Sequence, residues 1–112
     1  MVSWKVQWTV ETLSETVDAE IDALPEDMRA RPARIARLIE EKGLERVGEP
    51  HVKQVEGRLW EIRLKVRGGI ARTLYVTARG GGVVIVRAFV KKTEKTPQRE
   101  IELALRRATS VR

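Results

Sequence analysis

Five side chains in the second half of the chain have the types and spacing for phosphoryl chemistry. Glu61 and Arg63 lie two residues apart in one strand-like stretch, Arg72 opens the next, and Lys91 and Lys92 follow an apolar run. Residues two apart on a strand share a face, so Glu61 and Arg63 project together. In metal-free RNA cleavage the substrate's 2′-hydroxyl attacks the adjacent phosphorus. That step needs a base for the hydroxyl, an acid for the leaving 5′-oxygen and cations for the crowded phosphate. Arginine suits the last task, because its planar fork binds two phosphate oxygens and stays charged, and preorganised cations are usually the largest catalytic term. Arg63, Arg72 and Lys92 are the first choices for it, with Lys91 sharing the role. Glu61 is the candidate base, although a cross-strand salt bridge accounts for it equally well. The two lysines are also candidates for proton transfer.

Lys65, Arg67, Arg58, Thr93 and Lys95 stand around this set and are candidates for holding RNA backbone. Each also has an ordinary reading: solvated cations on strand faces, and for Thr93 the cap of a turn. His51 reads as a loop residue, and Tyr75, inside an apolar strand, as a packed ring with its hydroxyl bonded. Arg99, Arg106, Arg107 and Arg112 read as solvation of the last helix or as complements to its C-terminal dipole.

These groups need elements to carry them, and the 112 residues suit one domain with a real core. The net charge of +6 is uneven. Residues 1–50 carry 7 basic and 11 acidic side chains, and residues 51–112 carry 15 and 5, so the field that attracts phosphates belongs to the second half. Cysteine is absent and histidine occurs once, which removes disulfides, thiolate catalysis and a protein-built zinc site. No metal or cofactor is called for. No leader or membrane-length apolar run is apparent, so a soluble, cytoplasmic protein is expected.

Alternation over Val2 to Val10 predicts a first strand with Trp4 and Trp8 in the core. Thr12 and Glu15 fit a capping box for a helix bearing Leu13, Val17, Ile21 and Leu24, ended by Pro25. A second helix is expected from Met28 to Lys42, bent at Pro32 and closed by Gly43. Four strands follow: Val52 to Val55, Arg58 to Arg67, Ile70 to Ala78 and Val83 to Val90, separated by glycine turns. In the second of these, Trp60, Ile62, Leu64 and Val66 form the core face, and Glu61, Arg63, Lys65 and Arg67 a charged row on the other. Thr96 as N-cap and Pro97 at the first helical position start a last helix with the stripe Ile101, Ala104, Leu105 and Ala108. The order β-α-α-β-β-β-β-α predicts an α+β fold, a twisted, mainly antiparallel sheet packed against helices on one face.

Three segments carry a family likeness: Leu59 to Arg63, Arg72 to Tyr75, and Phe89 to Glu100. Together they resemble the phage-derived, HigB-like branch of the RelE/HigB toxin superfamily, with agreement in element order over most of the chain. The resemblance implies a RelE-like fold and a toxin of a type II toxin–antitoxin system. It further implies a metal-independent, ribosome-dependent endoribonuclease acting on mRNA, restrained by a cognate helix-turn-helix antitoxin. Arg72 matches the superfamily's arginine before a valine/leucine–tyrosine step, and Lys92 its cation after the final strand. Many relatives place a tyrosine or histidine near the positions of Thr96, Pro97 and Gln98, where this chain has none.

A non-catalytic basic module that binds RNA, ribosome or a partner protein through the same sheet face is the alternative. A DNA regulator fits less well, because no helix pair presents a basic recognition helix.

Overall fold

The computed structural model describes residues 9–26, 52–66 and 68–112. Its elements are β1 (Thr9–Thr12), α1 (Glu15–Asp22), β2 (Val52–Glu56), β3 (Leu59–Val66), β4 (Gly69–Ala78), β5 (Gly82–Lys91) and α2 (Gln98–Ala108). The expected helix from Met28 to Lys42, Trp4, Trp8, His51 and Arg67 lie outside the described residues. The strand expected from Val2 is described only from Thr9.

The five strands form one sheet in the order β1-β5-β4-β3-β2. Strands β2 to β5 pair antiparallel with their neighbours, whereas β1 runs parallel to β5. Short turns set the antiparallel part: Gly57, Gly68, Gly80 and Gly81 all hold positive φ, where a side chain would be strained. Val86 is an extra residue in β5, since Leu74 pairs with Arg87 but Tyr75 with Ile85.

Both faces of this sheet are covered, which corrects the expectation of a single covered face. On one side Leu59, Leu74, Val76, Val84 and Phe89 pack against Ile101, Ala104 and Ala108 of α2. On the other, Val52, Ile62, Tyr75, Val83 and Ile85 pack against Val17 of α1, with Trp60 half-buried at the margin. Burying a leucine or isoleucine in either layer contributes about 1.5–3 kcal/mol. Alternation places Glu61, Arg63 and Arg72 on the α2 side, so Glu61 and Arg63 of the expected charged row lie beneath α2 and the loop before it, whereas Lys65 is exposed.

Two caps also differ from expectation. Ser14, at φ −162°, is the N-cap of α1, and its hydroxyl accepts from the Val17 amide at 3.4 Å. Thr12 donates instead to Asp18 Oδ1 at 2.6 Å. Pro97 takes the N-cap position of α2 without a side-chain cap. Thr96 is freed from capping and turns toward Glu61.

Candidate functional site

Register builds the site. Arg63 of β3 pairs with Arg72 of β4, which pairs with Phe89 of β5; one row inward, Glu61 pairs with Leu74, which pairs with Arg87. One row outward, Lys65 and Lys91 flank Ile70 on the same face. The loop from Lys92 to Pro97 crosses this end of the sheet on its way to α2.

Glu61 lies at the centre, with its side chain 1% exposed. Its Oε1 accepts from Arg63 Nε at 2.5 Å, and its Oε2 accepts from the Thr96 hydroxyl at 2.5 Å. Arg63 Nη2 is 3.4 Å from Thr96 Oγ1, and Nη1 is 4.0 Å from the exposed carboxylate of Glu94. The outer edge of the Arg63 guanidinium is therefore only loosely matched to Glu94. Around it a cleft of about 500 Å³ is lined by Lys53, Gln54, Val55, Glu61, Arg63, Glu94, Lys95, Thr96 and Ile101.

Arg72 is wholly buried. Its Nη2 donates to the backbone carbonyls of Thr93 and, at 2.7 Å, of Glu94, while Nε and Nη1 have no hydrogen-bond partner among the described residues. Burial holds this guanidinium below its ordinary pKa. The Arg63 charge pushes the same way, and Glu61 and Glu94 oppose. Arg72 thus pins the loop that carries Lys95 and Thr96.

Of the candidates from sequence, Glu61, Arg63, Arg72 and Lys95 are gathered at or beneath this cleft. Lys65, Lys91, Lys92 and Thr93 are exposed around it, the Thr93 hydroxyl donating to the Lys95 carbonyl at 3.1 Å. Arg58 lies elsewhere: it sits in the β2–β3 turn and donates to the carbonyls of Val111 at 2.7 Å and Thr77 at 2.9 Å. Tyr75 is packed as expected, but its hydroxyl has no partner among the described residues, and burial raises its pKa well above the ordinary value.

Lys53, Glu94 and Thr96 were not singled out as site residues from sequence. Lys53 enters because β2 pairs with β3 so that Lys53 opposes Glu61. Only the alternation of the short Val52 stretch pointed that way. Thr96 enters across 35 positions of sequence, a separation without a local signature.

A second ionic group, also unforeseen, sits at the β5 edge beyond the reach of β1. Glu20 of α1 accepts from the Ala88 amide at 3.2 Å and pairs with Arg87 at 3.1 Å and Arg107 at 2.9 Å. Arg87 also bonds Glu100 at 2.8 Å and stacks 5.2 Å from the Phe89 ring centre. Burial draws the Arg87 pKa down, but hydrogen bonds and charge from Glu100 and Glu20 outweigh it and leave it raised. Arg107 donates to the Val86 carbonyl at 2.8 Å. This corrects its reading as a solvating residue: it helps close a strand edge that would otherwise expose unpaired backbone.

The cleft thus joins a carboxylate, a guanidinium and lysines on a basic rim, a set that can hold an anion and move a proton. Among the described residues no helix is long and apolar enough to cross a membrane, and no cluster of three or more His, Asp or Glu side chains could hold a metal ion. No curated protein matches the chain. The profile of the phage-derived Gp49-like proteins (DUF891) matches residues 19–109, from the middle of α1 to just past the end of α2. The chain therefore belongs to the phage-derived Gp49-like family, a toxin-like family related to RelE and HigB.

Proposed function

We propose that this chain is the toxin of a type II toxin–antitoxin system, with a RelE-type fold, and that it cuts mRNA on the ribosome by metal-free attack of the 2′-hydroxyl. Family membership supports the toxin context. The observation that carries the chemistry is the pairing of Glu61 with Arg63 in a cleft rimmed by lysines. In this reading the outer edge of Arg63 exchanges Glu94 for the scissile phosphate, with Lys95 and Lys53 on the cleft wall and Lys91, Lys92 and Lys65 steering the strand. Glu61 uses two of its roughly four acceptor sites on Arg63 and Thr96, and a third receives the proton of the attacking hydroxyl. Arg72 acts on the loop and not on the phosphate. A cognate helix-turn-helix antitoxin is the expected partner that silences the site.

Controlled expression in growing cells tests this. Wild type arrests growth. Arg63→Ala, which removes a cation aimed at the phosphate, lowers cleavage roughly 10²- to 10³-fold and relieves the arrest with the fold intact. Persistent arrest in folded Arg63→Ala would contradict the assignment.

One observation favours a non-catalytic binding module instead: both Glu61 oxygens are already engaged, and Arg72 is wholly inside the protein. Glu61→Gln separates the two readings. A nuclease loses about 10²-fold or more in rate while RNA affinity holds, whereas a pure binder shows no cleavage to lose.

A further inference from the structure

At the end of the sheet opposite Lys91 lies a second cleft, of about 570 Å³, lined by Arg58, Thr77, Ala78, Arg79, Val111 and Arg112. Its three arginines come from the β2–β3 turn, the β4–β5 turn and the segment after α2. Hydrogen bonds between those segments bring them together: Arg58 Nη1 donates to the Val111 carbonyl at 2.7 Å, Arg58 Nη2 to the Thr77 carbonyl at 2.9 Å, and the Arg79 amide to the Arg112 carbonyl at 2.9 Å.

Carbonyl acceptors orient a guanidinium without neutralising it. Among the described residues, the ion pairs engage Arg63, Arg87 and Arg107 and none of these three. The lining includes no acidic side chain, so three guanidinium groups leave this concavity with an excess of positive charge that an entering anion relieves. The fork of Arg58 is preorganised, so little order is lost when that anion binds.

We infer that this cleft is a second phosphate-binding site, taking backbone phosphates of an RNA strand whose other part lies in the Glu61 cleft. Arg58 and Arg63 are five positions apart, which along an extended strand is about 17 Å. That is about five stacked nucleotides at 3.4 Å each, so one short segment reaches both clefts. Only the identity of the polymer rests on the proposed RNA function; the phosphate chemistry does not.

The test is fluorescence anisotropy of the full chain with labelled single-stranded RNA over a salt series, with inorganic phosphate as competitor. Arg79→Gln combined with Arg112→Gln removes two exposed cations and leaves the Arg79 amide bond in place. The salt slope should flatten by roughly 1 to 1.4, at about 0.7 per phosphate contact, while Arg79→Lys with Arg112→Lys keeps the wild-type slope. An unchanged slope in the glutamine variant overturns this site and leaves the nuclease reading standing. Displacement of RNA by inorganic phosphate at millimolar concentration overturns the polymer assignment. A flattened slope in a protein that cuts no message supports this site and counts only against the nuclease reading.

Discussion

Arg72 directs its guanidinium at two backbone carbonyls inside the protein, and this decides how its mutants should be read. Arg72→Ala leaves the Thr93 and Glu94 carbonyls without their donor and opens a void, a loss of about 2–3 kcal/mol. A lower urea midpoint at unchanged m, with faster amide exchange around residues 93–96, is the expected result. A midpoint equal to wild type would show that the loop is held by other means. Loss of activity in this variant reports on loop placement, so Arg63 is the cleaner probe of phosphate contact. Tyr75 poses the opposite case, a buried hydroxyl without a partner among the described residues. Tyr75→Phe should stabilise by about 1 kcal/mol, because an unpaired buried polar group is removed. Burial raises the Tyr75 pKa in the folded state, so the associated stability is complete below the unfolded value, near pH 10, and is lost as pH climbs beyond it. The advantage of Tyr75→Phe should therefore widen above about pH 10. A constant gap across that range would contradict the burial.

Between elements, Glu20 does the work that backbone pairing does elsewhere in the sheet. It ties α1 to β5 and α2 through the Ala88 amide, Arg87 and Arg107. Glu20→Ala should cost about 2 kcal/mol, and a double-mutant cycle with Arg107→Ala should give a coupling on the order of 1 kcal/mol. Strictly additive effects would mean that the pair is incidental. Strands β2 to β5, the glycine turns and the stripe of α2 were readable from alternation and spacing because those signals are local. The burial of Glu61 and Arg72 was not. Charged side chains read as surface unless their partners are known; Arg63 beside Glu61 was legible, but the Thr96 partner of Glu61 and the carbonyls held by Arg72 lie 35 and 21 to 22 positions away. The parallel pairing of β1 with β5 joins distant segments and left no mark in either. Thr96 shows the same limit: a threonine before Pro97 fits a cap, and only the fold brings Glu61 within its reach.

For the molecule as a whole, two basic clefts lie at opposite ends of one sheet, around Glu61 and around Arg58, Arg79 and Arg112. Such an arrangement suits a long polyanion better than a small ligand. Whether the protein cuts RNA, as proposed, is the central question, and the ends of the RNA answer it. Purified protein is added to ribosomes translating a defined message, and the 3′ ends are mapped and their chemistry determined. The account predicts discrete cuts bearing 2′,3′-cyclic phosphates with wild type and their loss with Arg63→Ala. Intact message in the presence of folded, RNA-binding wild type would contradict it.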